Sequence, residues 1–255
     1  GAVLYEANID ISWLQLATFS ALLLIPLSVN AYFKCCISIS RSTITSLLLM
    51  FLQLIFLGLY LEYIFVLDNI WINAAWVVIM IIIGSHSIIS KSNLPHHTLF
   101  FINALALTSA LLPLLLILSF SIIQPTPLYS AQYMVPLAGM LLGSSISSNI
   151  VGLQTFFDGF KQRKSEYESA IALGATASQA AFPFLQQAMK KAQAPILATM
   201  ATTGIVSLPG MMTGQILGGV TPMIAIKYQL LILIAIFVML SISLSLTLLL
   251  CLRYT

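Results

Sequence analysis

The sequence predicts an all-α, polytopic membrane protein of about seven transmembrane helices, from its composition, the length of its apolar runs and the absence of alternation within them. Of 255 residues, 60% are hydrophobic and 7% charged, against roughly 25% charged in soluble domains. So few charges cannot cover a surface that faces water, whereas lipid makes no such demand. No charged residue occurs between Lys91 and Asp158, between Lys191 and Lys227, or between Lys227 and Arg253. A hydrocarbon core roughly 30 Å thick, crossed at 1.5 Å per residue, requires apolar runs of about 20 residues. Transmembrane strands would alternate polar and apolar over about ten residues. Runs such as LLILIAIFVMLSISLSL do not alternate.

Seven spans are expected, at 11–33, 43–66, 71–90, 98–123, 131–157, 199–220 and 225–251, within a single transmembrane domain covering 1–255. The first basic residue, Lys34, follows the first span instead of preceding it. That segment is therefore expected to be retained as a membrane helix and not removed as a signal peptide. Lys34, Arg41, Lys91, Lys161, Arg163, Lys164, Lys190, Lys191 and Arg253 all fall on one side of the resulting path, with Lys227 the exception. Basic residues collect on the cytoplasmic side, so the N-terminus is expected outside and the C-terminus in the cytoplasm. The net charge of +3 is this bias written on a short chain and calls for no nucleic-acid partner. Cys35, Cys36 and Cys251 all fall near the cytoplasmic side, where disulfides are not expected.

The largest segment expected outside the membrane is the cytoplasmic loop at about 158–195, too short to bury a core of its own. Its centre reads EYESAIALGATASQAAFPF. Residues 166–173 are good helix formers, and Gly174 is placed to end that helix in the left-handed conformation. Thr176 and Gln179 then have capping-box spacing, which predicts a second, short helix after a glycine corner. Small residues around it (Ala170, Ala175, Ala177) would let a partner surface approach. A plain connecting hairpin fits the same spacing.

Glu168-Ser169-Ala170, followed after three residues by Gly174, resembles the E-A-A-x-x-x-G motif of ABC transporter permeases. Ser169 stands where that motif has alanine, and the I-x-L-P tail is missing. Val135–Gly143 (VPLAGMLLG), Ser169–Ala180 (SAIALGATASQA) and Val206–Gln229 (VSLPGMMTGQILGGVTPMIAIKYQ) extend the likeness to the FetB/YbbM family of such permeases. In the N-terminal half it rests on QLIFLG (53–58) and NAAW (73–76). Leu49 and Ser144 depart from the family pattern, which has arginine and asparagine there. The resemblance implies a coupling helix around Glu168, Ser169, Ala170, Gly174, Ala175 and Thr176 that docks on an ATPase subunit. It also implies iron or metal export across the bacterial cytoplasmic (inner) membrane.

Gly139 and Gly143, Gly210 and Gly214, and Gly214 and Gly218 each have the four-residue spacing that puts two glycines on one helix face. In lipid such faces let backbones pack closely, within one chain or between two. With Pro136, Met140, Pro209, Met211 and Met212 they nominate the fifth and sixth spans as the wall of a translocation path or a dimer seam. Pro209-Gly210 is expected to break the helical ladder, which membrane proteins tolerate beside protein or a water-filled cavity. Methionines can ligate soft metals, though as flexible packing they need no metal. Gln53 is a further polar contact within its span, and Glu62 lies near the outer end of the same helix. His86, His96 and His97 lack neighbouring cysteines or carboxylates and form no recognisable zinc site. No metal ligand set is therefore assigned.

The chain has no G-x-x-x-x-G-K-[ST] phosphate loop, so it is read as a transport subunit that binds no cofactor itself. On the ABC reading, ATP and magnesium belong to a partner ATPase in two copies, and a second copy of this chain completes the path. A competing reading is an ion-coupled secondary transporter, which also uses broken helices but places ion-binding groups near the midplane. An intramembrane serine protease fits poorly, because Gly143-Ser144-Ser145-Ile146 lacks the Gly-x-Ser-Gly pattern and no histidine follows His97.

Overall fold

The computed structural model describes residues 9–33, 37–92 and 97–253, which are helical with short connections and contain no β-strand. Lys34, Cys35, Cys36 and His96 fall outside the described residues. The chain divides into two compact units, Gly1–Leu67 with Leu217–Val220, and Asp68–Ile216 with Thr221–Thr255.

In the first unit α1 (Trp13–Ser20) and α2 (Leu24–Tyr32) are joined by a 3₁₀ turn into one apolar stretch. Ser12 and Gln15 cap its start reciprocally. Helix α3 (Ile37–Leu67) packs against α2.

The second unit is a bundle of α4 (Ile70–Lys91), α5 (His97–Ile117), α6 (Ala131–Gln162), α8 (Ala177–Thr202) and α10 (Pro222–Leu252), with the short helices α7 (Lys164–Ala172) and α9 (Gly210–Leu217) between them. Helix α6 is central, packing on α4, α8 and α10, while α5 lies against α4 and α10. Helix α5 runs through Pro113 into a π-helical turn, Leu118–Ile123, which stops at left-handed Gln124.

Two contacts set α4 level with α6. At one end the Asp68 carboxylate accepts from the Ala131 backbone N–H at 2.9 Å and from Asn73 Nδ2 at 3.3 Å. This places a negative charge where the α6 dipole is positive. At the other end Gln154 Nε2 donates to the Lys91 carbonyl at 3.1 Å. Helices α4, α6 and α10 run in one direction and α5 and α8 in the other, so Lys91, Lys161 and Arg253 collect at one basic end.

Among the described residues six helical segments are long and apolar enough to cross a membrane: Trp13–Tyr32, Arg41–Leu67, Ile70–Lys91, His97–Ile123, Ala131–Gln162 and Pro222–Leu252. They coincide with six of the expected spans. The expected span at 199–220 is not a continuous helix: α8 ends at Thr202, the chain turns through Gly204 (φ 89°), and α9 contributes eight residues. Pro209 immediately precedes α9. The ladder is therefore broken as expected, but over several residues, because Ile205, Val206 and Ser207 bond back to the Thr202 carbonyl. Helix α9 stops at Leu217, so Gly218 lies beyond it and the expected Gly214–Gly218 helix face does not form.

The second difference concerns 158–195. The helix expected to be short after the glycine corner has 26 residues, and Phe184, Ala188 and Ala192 on it are buried in the bundle core. Among the described residues, what projects from the basic end is α7 and the turn to α8.

Candidate functional site

The projecting corner is a fully capped helix–turn–helix. The α7 C-terminus closes with Gly174 N–H on the Ile171 carbonyl (3.0 Å) and Ala175 N–H on the Ala170 carbonyl (3.0 Å). These are the two bonds of a Schellman motif, whose left-handed residue is Gly174 at φ 96°. The motif also brings its flanking side chains together, which gives Ala170 and Ala175 a local reason to be small; both are half-buried. On the other side Thr176 Oγ1 accepts from the Gln179 N–H (3.2 Å) and Gln179 Oε1 accepts from the Thr176 N–H (2.9 Å). The predicted capping box is formed.

Glu168, Ser169, Gly174 and Thr176 are exposed, and Leu173 at the tip is 90% exposed. The knob is anchored from behind. Tyr167 packs on Phe160, and Phe160 on Phe156 and Phe184, with centroids 4.7–5.1 Å apart. Arg163 lies over the Phe184 ring (5.4 Å) and donates from Nε to Glu166 at 2.9 Å. The hydrogen bond from Arg163 holds the Glu166 carboxyl below its ordinary range, and the same bond raises the Arg163 guanidinium. Lys164 and Glu168 pair across one turn at 3.7 Å. The corner is thus a rigid, polar-sided projection with an apolar tip.

The other nominated residues lie on separate elements. Gln53 is exposed on α3. On α6, Pro136 and Gly143 are exposed, and Gly139 and Met140 half-buried. Pro209 lies in the turn before α9, Gly210 and Gly214 are exposed on α9, and Met211 and Met212 are half-buried there. A Cβ at Gly139 would meet Met80 Cε at 3.3 Å, whereas Gly143, Gly210 and Gly214 have nothing within 4 Å. The glycines at which helices of this chain do close up are others. A Cβ on Gly152 would stand 2.6 Å from Leu244 Cδ1, and one on Gly159 2.8 Å from Phe184 Cδ1. Neither belongs to a four-residue pair, so spacing gave no sign of them.

Sequence reasoning also missed a polar layer inside the bundle. Asn103 Nδ2 on α5 donates to Asn149 Oδ1 on α6 and to Thr247 Oγ1 on α10, both at 3.2 Å, and Asn149 Nδ2 donates to Ser243 Oγ at 3.1 Å. All four residues are fully buried. Such interhelical bonds contribute roughly 0.6–2 kcal/mol each in a membrane. The available signal was an asparagine inside each of two apolar spans. Among the described residues no group of three or more His, Cys, Asp and Glu could hold a metal ion.

These features define a polytopic helical membrane protein. Residues 13–255 match the model of the "Uncharacterised protein family (UPF0014)", and the chain belongs to that family. It is 36% identical over 184 residues to a UPF0014 membrane protein of Synechocystis sp., covering 71% of this chain and 70% of that one. It is 32% identical over 215 residues to "Protein ALUMINUM SENSITIVE 3" of Arabidopsis thaliana, covering 84% and 77%. It is 28% identical over 218 residues to the "Probable iron export permease protein FetB" of Escherichia coli, covering 83% and 80%. No solved structure matches.

Proposed function

We propose that this chain is the membrane-spanning permease subunit of an ATP-driven ABC transporter, and that the α7–α8 corner docks on a separate ATP-binding subunit. The observation that carries the reading is the corner itself. It is capped at both helix ends by its own residues, fixed to the bundle by the Phe156–Phe160–Tyr167–Phe184 cluster, and ends in an almost bare Leu173. An exposed apolar side chain on a rigid polar knob suits insertion into a cleft on another protein. With the basic end in the cytoplasm, the corner stands where ATP is. ATP and magnesium are bound by the partner, since this chain carries no phosphate-binding loop. Two copies of the chain and two ATPase subunits make the working assembly, which alternates access from one side of the bacterial cytoplasmic membrane to the other. The name of the Escherichia coli relative supplies the cargo, iron or another metal, and the direction, export.

The test is co-purification of the tagged chain with a co-expressed ATP-binding-cassette subunit, followed by ATP-dependent transport in inverted vesicles. The reading predicts a complex that Leu173→Asp dissolves without altering the yield of the chain. Stable co-purification by Leu173→Asp contradicts it.

A second reading draws on the break between α8 and α9, since discontinuous helices also serve ion-coupled secondary transporters. Transport that follows an ion gradient and ignores ATP would favour it.

A further inference from the structure

Helix α8 presents an open polar face. This helix buries Phe184, Ala188 and Ala192 against the core and leaves Gln186 and Lys190 exposed on the opposite side, with Gln187 and Lys191 exposed at the margin of the buried face. Its depth follows from two contacts with α10: Ser245 Oγ meets Met189 Sδ at 3.9 Å and Gln193 Nε2 meets Ser241 Oγ at 3.4 Å. The helices are antiparallel, so Lys190 and Lys191 stand level with Leu244 and Ser243. Helix α10 is uncharged from Tyr228 to Leu252, and eight residues from Leu244 to Leu252 measure about 12 Å at 1.5 Å per residue. Lys190 and Lys191 therefore stand beside the uncharged stretch of α10, and Gln186 and Gln187 beside its last turns.

Lipid covers such a face only at a cost. A lysine at depth costs roughly 2.5–3.5 kcal/mol even on the most lenient insertion scale, and such residues face a water-filled cavity or the protein interior. Among the described residues the ion pairs are Arg163–Glu166 and Lys164–Glu168, and neither involves Lys190 or Lys191. Asp158, the one acid on α6, lies nearer the basic end. Gly159 packs on Phe184, so Asp158 is level with about residue 185 of α8, roughly 8 Å from Lys190 along the axis. Among the described residues of this unit the stripe is positive and has no ion-pair partner.

We infer that the Gln186–Gln187–Lys190–Lys191 face of α8 lines an aqueous path and selects an anionic solute, so that a metal cargo would pass this point as a complex of net negative charge and not as a bare cation. The inference rests on the transport reading and narrows its cargo class. Two fixed charges within about 6 Å of a passing ion repel a cation and attract an anion by comparable amounts in water. The glutamines supply neutral hydrogen-bond donors beside them.

The experiment uses membranes containing the intact protein with Cys35, Cys36 and Cys251 replaced by serine or alanine. Gln187→Cys is then treated with an anionic sulfonatoethyl or a cationic trimethylammonium-ethyl methanethiosulfonate. The expected result is labelling from water by both reagents, with the anionic one favoured about tenfold relative to its ratio at Ser178→Cys. Adding Lys190→Gln and Lys191→Gln should abolish the preference. Ala188→Cys, on the buried face, should stay unlabelled, which reports an intact fold. Labelling only by a lipid-soluble maleimide, or by nothing, overturns the aqueous path; the second outcome means that protein, such as another copy of the chain, covers the face. Equal rates, or a faster cationic reagent, overturn the selectivity. No ATPase enters the assay, so its failure leaves the coupling proposal standing, and loss of ATPase binding leaves this inference standing.

Discussion

The two glycine breaks that flank α8 differ in almost every respect. At the basic end, Gly174 ends α7 inside a Schellman motif and the next helix starts at once from a reciprocal cap, so the turn is short and its backbone groups are paired. At the far end, Gly204 opens a turn in which three successive N–H groups share the Thr202 carbonyl, with Ile205 91% exposed and α9 only eight residues long. A capped corner is a rigid lever. An exposed turn between two helices has few packing contacts to undo when it changes shape. On the transporter reading proposed above, the first break serves coupling and the second gating.

The largest effect is expected at Gly174. Its φ of 96° suits no L-residue well, and a β-branched side chain there costs at least about 1–2 kcal/mol. Nothing lies within 4 Å of the added Cβ, so the penalty is purely conformational. Gly174→Val should abolish ATPase association while Gly174→Asn retains most of it, since asparagine tolerates left-handed backbone. Equal loss in both would mean that space, not conformation, governs the corner. Gly159→Val comes next. It drives a side chain into the Phe184 ring behind the corner and should cost about 1–3 kcal/mol in a denaturation series in detergent. Gly143→Ala and Gly214→Ala, with open space around them, should change monomer stability by less than about 0.5 kcal/mol. A weakened dimer with unchanged monomer stability would mark those two positions as a seam between copies. Asn149→Leu should cost about 1–2 kcal/mol by removing bonds to Asn103 and Ser243.

The smallest effect is at the exposed Arg163–Glu166 pair. The Glu166 carboxyl is held below its ordinary 4.5, so the pair's contribution is present above that value and fades as pH falls through the lowered one. An NMR titration should show the depressed midpoint in the native chain and its return in Arg163→Gln.

What was legible in the sequence was local. Composition and apolar run length gave the helical membrane class and six spans. Gly174 and the Thr176–Gln179 cap are decided within a few residues of themselves, and they formed as predicted. The 199–220 span was misjudged because mean hydropathy does not register a turn at Gly204 in an otherwise apolar stretch. Lys190 and Lys191 were placed in a loop because charge alone was the cue. Their depth depends on Gln193 meeting Ser241 and Met189 meeting Ser245, pairings about 50 residues apart. The Asn103–Asn149–Thr247 layer and the Gly159–Phe184 contact are long-range in the same way. Gln53, Pro136 and Met211 were grouped by residue type, and the structure leaves them on separate elements.

The central claim is that the α7–α8 corner is the contact with the ATPase. A photo-reactive residue at Leu173, in membranes containing the chain and a co-expressed ATP-binding-cassette subunit, tests it most directly. The account predicts a specific crosslink to that subunit, lost in Gly174→Val and kept in Gly174→Asn. ATP-driven transport in vesicles with no crosslink from Leu173 to the ATP-binding subunit would contradict it.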